Sequence, residues 1–471
     1  MNRYLLFLFL IVLFISCKNK EAAPAMDEAS RMASADATFK KFCSTCHGDN
    51  GDVFVDRRWK HGATRDSIIM NINQGLPALG MPMWDSAFND QETTDLADYL
   101  MRAIEKRKQF DFKDSVRSNI FTHNSENVKL DTLAKGLENP WGIAFLSDGE
   151  FLYSDRNGNL YHNSKGVQTA VQGAPLVLAE GQGGLMDIEL HPGFGSNKLI
   201  YLSYSKFKDS AGEVWSTTAV LRAKWTRNKL TEQKDIFVAM PYKKTRHHYG
   251  CRMKFDTTGL MFITVGDRGQ HADSMPQKLN NDLGKVHRIK DDGSIPDDNP
   301  FVNTPGARKS IWSYGHRNPQ GMALHRETNT IWTHEHGPRG GDELNIPEKG
   351  KNYGWPVISY GINYDGTILT PLTHKEGMEQ PLTRWVPSIG PSGMTFVSGD
   401  KYPGWKGDIL MGSLRFRYVN RVHLQGRAVD EQENLLKNIG RVRFVEMGPD
   451  GFVYVGVEEP GYIFKLMPMA K

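Results

Sequence analysis

The feature that most constrains this chain is a loosely repeated strand–turn–strand unit that fills most of its length. In its loosely kept form a small or polar residue opens the unit, an alternating apolar run follows, and a turn leads into a second apolar run. The unit is seen at Gly142–Phe145 with Asp148-Gly149, at Met186–Leu190, and at Met253–Phe255 before Leu260–Ile263. It returns at Gly321–Leu324, at Gly393–Phe396, and at Phe444–Met447 with Asp450-Gly451. That is about six copies over roughly 345 residues, close to 60 each. Copies of this kind bury a continuous core by stacking. Six of them, each longer than a bare blade, predict an all-β six-bladed β-propeller with functional loops between strands. A β-sandwich array would need separators between domains, and none is seen.

Ahead of the repeats the texture is helical. Leu96, Tyr99, Leu100, Ala103 and Ile104 fall on one helix face, and Asn89 with Glu92 three residues later suits the opening of that helix. The expected organisation is a signal peptide over 1–17, a tether over 18–33, a small all-α domain over 34–106, a linker over 107–127 and the propeller over 128–471. Lys and Arg total 58 against 54 Asp and Glu, a net charge of +4 spread along the chain. A nucleic-acid binder would mass its basic residues on one face, so that class of partner is not expected.

Cys43-Ser44-Thr45-Cys46-His47 is the C-x-x-C-H signal for covalent haem attachment. Two thiols one helical turn apart add to the haem vinyl groups, and the adjacent His47 ligates the iron. Zinc would need more Cys or His nearby, and only His61 is offered. The sixth iron ligand is expected from Gly80-Met81-Pro82-Met83, with Met81 ahead of Met83. The loop resembles class I cytochromes c, where a Met-Pro pair before the C-terminal helix carries the axial sulfur. At the N-terminus, Arg3 and the apolar run Tyr4–Ile15 are too short to span a bilayer and read as a signal peptide. Phe14-Ile15-Ser16-Cys17 resembles a lipobox, making Cys17 the acylated residue of an envelope lipoprotein on the periplasmic side; cleavage near Ala23-Pro24-Ala25 is the alternative. With Cys251 alone, no disulfide framework is expected.

The propeller carries polar blocks that a purely structural scaffold would not need. They are Gly181-Gln182-Gly183-Gly184, His247-His248-Tyr249-Gly250-Cys251-Arg252, Val265-Gly266-Asp267-Arg268 and Gly315-His316-Arg317-Asn318-Pro319-Gln320. Glu335-His336-Gly337-Pro338, Asp342-Glu343, Asn352-Tyr353-Gly354-Trp355, Ser413-Leu414-Arg415 and Arg441-Val442-Arg443 follow in order. Together they resemble the soluble PQQ-dependent aldose dehydrogenases of the glucose/sorbosone dehydrogenase family, over roughly Leu133 to Leu466. The resemblance implies His248 as catalytic base, with His247 as rival, Asp267 as its orienting carboxylate, and Arg317 facing the quinone carbonyl where charge develops. It further implies PQQ contacts from Gln182, Asn318, Tyr364, Ser388, Ser413, Leu414, Arg415, Arg441 and Arg443. Arg415 stands where the family commonly has Lys. A catalytic Ca²⁺ is implied at Gly337 and Pro338, and a structural one at Glu343 and Tyr353. Arg441 and Arg443, two apart on a strand, can both reach one anion.

The expectation is therefore a quinohaemoprotein with PQQ, haem c and Ca²⁺, oxidising a sugar at C1 by hydride transfer and passing electrons to a downstream one-electron acceptor. Its membrane contact is expected only through the lipid. A non-catalytic binding propeller beside an electron-carrier cytochrome is the rival reading, as is an enzyme for a non-sugar alcohol or aldehyde.

Overall fold

The computed structural model describes residues 26–43, 61–77, 81–110, 118–147, 149–364 and 366–470. Among the described residues the N-terminal module holds helices α1 (Glu28–Phe42), α2 (Arg65–Gln74) and α3 (Asp90–Phe110). Each begins where a side chain satisfies free backbone N–H groups. Asp27 accepts from Ser30 N, Thr64 and Ser67 form a reciprocal capping box, and Asn89 with Glu92 does the same for α3. Phe39, Ile68, Ile72, Leu96 and Leu100 make the shared apolar core.

Two boundaries differ from expectation. The first helix opens at Glu28, inside the stretch read as tether, because the Asp27 cap fixes its start while the exposed first turn shows no apolar period. At the other end α3 continues to Phe110, and the propeller begins before residue 128. Strand β1 (Ile120–Phe121) pairs with β2 (Asn127–Lys135), a two-residue strand too short to show any periodicity.

The rest forms six sheets among the described residues. Blade one is β3 (Pro140–Ser147), β4 (Glu150–Asp155), β5 (Leu160–Ser164) and β6 (Val167–Ala170). Blade two is β7 (Leu185–Leu190), β8 (Leu199–Ser210), β9 (Glu213–Thr226) and β10 (Lys229–Val238). Blade three is β11 (Met253–Phe255), β12 (Met261–Val265), β13 (Lys285–Ile289) and β14 (Ile311–Tyr314). Blade four is β15 (Pro319–His325), β16 (Thr330–Glu335), β17 (Asp342–Asn345) and β18 (Thr383–Trp385). Blade five is β19 (Pro391–Phe396), β20 (Ile409–Ser413), β21 (Val419–Gln425) and β22 (Ala428–Leu435). Blade six takes β23 (Val442–Met447), β24 (Val453–Val457) and β25 (Tyr462–Met469) from the chain's end and closes with β2 and β1.

The repeated sequence units are the six innermost strands, and the small residue that opens several of them has a steric cause. A Cβ on Gly393 would lie 2.7 Å from Phe444 Cα in the next blade, and one on Gly142 would lie 2.9 Å from Asp187 Oδ1. Inner strands approach one another too closely there for a side chain. Outward of that ring an apolar cluster fills each blade interface: Leu152 with Ile188, Val220 with Met253, Phe262 with Met322, Trp332 with Met394, Leu410 with Val445, and Tyr454 with Phe151.

Ring closure rests on β2, whose Leu130 is buried opposite Leu466. Leu130→Ala is expected to cost about 2–5 kcal/mol in urea unfolding, whereas Lys129→Ala, on the exposed face, should stay within about 0.5 kcal/mol. Equal, small effects would contradict closure by this strand.

Candidate active site

The residues immediately before the inner strands gather at one end of the propeller axis. His248, just ahead of β11, is buried and takes a left-handed backbone with φ of 55°, as do Cys251 at 80° and Arg268 at 55°. Strained conformations of this kind persist where neighbours over-determine them. Here His248 N donates to Gln182 Oε1 at 2.7 Å and Gly250 N to Asn318 Oδ1 at 3.2 Å. Arg268 pins the loop from outside. Its guanidinium donates to the carbonyls of His247, Ser216 and Thr245 and stacks 3.7 Å from the Tyr249 ring.

His248 Nδ1 lies 2.7 Å from Asp267 Oδ1. Burial alone would raise the Asp267 pKa, but its hydrogen bond from His248, the Arg317 charge and the Gly269 N–H hold it below the usual carboxylate range. An ionised carboxylate only accepts, so Nδ1 carries the proton and Nε2 keeps its lone pair. Asp267 Oδ2 accepts from Trp355 Nε1 at 2.8 Å, which fixes the carboxylate plane. Burial, helped by the Arg317 charge, brings the His248 pKa down to about 4 despite Asp267. The imidazole is therefore neutral at pH 7, as a general base must be.

Arg317 is held by its backbone N–H on Glu335 at 2.5 Å and by Nη1 on the carbonyls of His336 and Gly337 at 3.0 and 2.7 Å. Its guanidinium lies 5.3 Å from the Trp355 ring centroid, and Nη2 donates to the Tyr364 hydroxyl at 3.4 Å. Tyr364 itself is 69% exposed, at the mouth. Further round, Arg415 donates to Ser388 O at 3.1 Å. Arg441 Nε and Arg443 Nε both donate to Glu458, at 3.1 and 2.6 Å, so the two arginines do share one face and one anion.

Residues 137–465 match the family described as glucose/sorbosone dehydrogenase. The chain belongs to that family. Residues 30–100 match a second family, described as cytochrome c oxidase, cbb3-type, subunit III. The aldose sugar dehydrogenase YliI of Escherichia coli is 41% identical over 348 residues, covering 72% of this chain and 93% of that protein. A crystal structure of the soluble E. coli aldose sugar dehydrogenase in its apo form superposes with a TM-score of 0.69 at 40% identity, covering 73% of this chain and all of that one. The PQQ-bound aldose sugar dehydrogenase of Streptomyces coelicolor gives 0.60 at 26% identity, covering 73% and 98%.

Several features of this glucose/sorbosone dehydrogenase fit an anionic quinone. The buried Arg317 Nε has no hydrogen-bond partner among the described residues, an orphan donor that a ligand would satisfy. The Ser388 hydroxyl donates to Asp342. Asp342 also accepts from Gly337 N, Ile389 N and Gly390 N, tying the Gly337–Pro338 loop to the Ser388 loop. Ser413 Oγ donates to Ile389 O, the Leu414 side chain is buried, and Leu414 O accepts from Arg441.

No group of three or more His, Cys, Asp or Glu side chains assembles for a metal among the described residues. A calcium built on carbonyls needs none, and Gly337 O stands beside Arg317. At the second expected site, burial and the nearby Glu335 carboxylate push the Glu343 pKa up, a cost of ionising both that a hard cation would relieve. The Tyr353 hydroxyl is committed to Ile346 O and Glu348 N, so only its backbone is left for such an ion.

In the haem module Cys43 caps α1 and packs with Met81 against one apolar cluster, beside Trp84 stacked on Phe88. Met83 is 60% exposed. A soft ligand on the cluster side suits a haem, which favours Met81. Cys17, Cys46 and His47 lie outside the described residues.

Sequence reasoning gave Trp355, Asp342, Glu335, Arg268 and Glu458 no role. The first four sit inside quoted blocks and could have been flagged as polar residues beside active positions. Glu458 left no signal, because only strand register places it near Arg441.

The His248 imidazole, followed by NMR in histidine-labelled apoprotein, should titrate near pH 4. A value at or above the ordinary 6.5 would show that burial does not control it.

Proposed function

We propose that the protein is an exported quinohaemoprotein that oxidises aldose sugars at C1, with PQQ and Ca²⁺ in the propeller and electrons passed on through haem c in its N-terminal module. The observation that carries this reading is the neutral His248, held by Asp267 and within reach of the Arg317 charge, together with the orphan Nε of Arg317. Bound there, PQQ would supply the two-electron acceptor for hydride, polarised by calcium as a Lewis acid.

The protein's own residues supply the rest. His248 Nε2 takes the C1 hydroxyl proton, and the charge that develops on His248 falls beside ionised Asp267. Arg317 is fixed by three bonds before substrate arrives, so its cation stabilises negative charge without reorganising. Arg415, Arg441 and Arg443 bind carboxylates of the cofactor, and Gln182 and Asn318 orient it while holding the His248 loop. Cys43 and Cys46 attach the haem, and His47 and Met81 ligate its iron. Fusion to the propeller raises the effective concentration of electron acceptor over what a free cytochrome would offer. Acylated Cys17 would hold the protein to a bacterial envelope membrane, on the periplasmic side.

The scaffold-only reading is disfavoured because a bare propeller has no use for strained His248 or for a solvent-starved Arg317. The enzyme reading is tested by dye reduction with a panel of aldoses, PQQ and Ca²⁺ supplied, and by the haem absorbance of holoprotein mixed with an active aldose. Sugar-dependent reduction of both is expected. His248→Gln should slow it about 10²- to 10⁴-fold with cofactor affinity retained. No aldose-dependent reduction in any combination would refute the reading.

A further inference from the structure

We infer that Glu458 is a positioning residue for the cofactor: it clamps Arg441 and Arg443 together so that the pair presents one pre-organised site for a carboxylate. The inference rests on the PQQ reading above and adds a residue to it.

The clamp follows from strand register. Val442 pairs with Val457, so the next step outward sets Arg441 opposite Glu458, and Glu458 N donates to Arg441 O at 2.9 Å. Gly440 makes this closure possible. It has φ of 132°, and a Cβ there would meet Glu459 O at 2.1 Å. From this backbone the Glu458 carboxylate reaches both arginines. Oε2 accepts from Arg441 Nε at 3.1 Å, while Oε1 accepts from Arg443 Nε at 2.6 Å and pairs with Nη2 at 2.5 Å. The Glu458 and Arg443 side chains are 10% and 12% exposed, and Arg441, at 36%, is the one that meets solvent.

The remaining bonds face away from the pocket. Arg441 Nη1 donates to Leu414 O at 3.1 Å, and Arg443 O accepts from Arg252 at 3.0 Å. Arg441 Nη2 and Arg443 Nη1 are left without a protein hydrogen-bond partner among the described residues. Two guanidiniums so close repel each other, and each carries several rotatable bonds. One shared carboxylate removes both problems and leaves the pair with a net single positive charge, the complement of one carboxylate. Glu458 therefore favours anion binding although it is itself an anion, because order gained in two arginines outweighs charge lost from the site.

The test is titration of full-length apoprotein with PQQ by tryptophan-fluorescence quenching, at low and high salt, for wild type, Glu458→Gln and Glu458→Asp. Glu458→Gln removes a negative charge from the site yet should bind PQQ about tenfold more weakly. Its affinity should also fall more steeply with salt, because the pair's charge is no longer neutralised. Glu458→Asp keeps the charge but is a methylene shorter; it should show an intermediate loss with wild-type salt dependence, and it decides the matter if Glu458→Gln does not fold. Equal or tighter binding by the folded variants would overturn the inference, as would a loss in Glu458→Gln with unchanged salt dependence. Failure of the wild type to bind PQQ would instead overturn the parent reading.

Discussion

One guanidinium on the propeller axis holds the site's geometry. Arg252, from blade three, donates to Asp187 in blade two at 3.1 Å, to Gln320 O in blade four at 2.8 Å and to Arg443 O in blade six at 3.0 Å. Its face lies 4.0 Å from the Trp141 ring of blade one. A buried cation is costly unless its donors are met, and here three other blades meet them while blade one covers the guanidinium with a ring. The cost enforces a single arrangement of the inner strands. Because Arg252 follows the His248 loop directly and grips the backbone of Arg443, the His248 imidazole and the Arg441–Arg443 pair are placed against one fixed point.

Above that point the site is built from loops that a rigid scaffold strains into place. The left-handed conformation of His248 is stabilised by Gln182, Asn318 and Arg268, and each of these comes from, or bonds to, a different strand end. The consequence is electrostatic. His248 is buried enough to stay neutral, Asp267 is hydrogen-bonded enough to stay ionised, and Arg317 is anchored with one donor left over. Opposed environments for neighbouring titratable groups are what divide acid and base roles between them.

Much of this was legible in the sequence, and the limit of legibility has a physical form. Inner strands announce themselves because both faces are buried and because close approach demands glycine at Gly142 and Gly393. Outer strands such as β6, exposed along its length, show no such pattern. The haem attachment motif and the cap at Asn89 depend on neighbours within a few residues, so spacing reveals them. The helix start at Glu28 and the pairing of β1 depend on one cap and one edge contact, which periodicity does not register. In the site, His248, Asp267 and Arg317 were identified through resemblance, and the structure brings them together. Glu458 was not, since it approaches Arg443 only through the β23–β24 register.

The deciding question is what binds among His248, Arg317 and the Arg441–Arg443 pair. The most direct measurement is a crystal structure of the protein grown with PQQ and Ca²⁺. The account predicts a quinone there, with Arg317 Nε satisfied, a carboxylate on Arg441 and Arg443, and His248 Nε2 facing the open side. A site that stays empty at saturating PQQ, or a quinone bound elsewhere on the molecule, would contradict it.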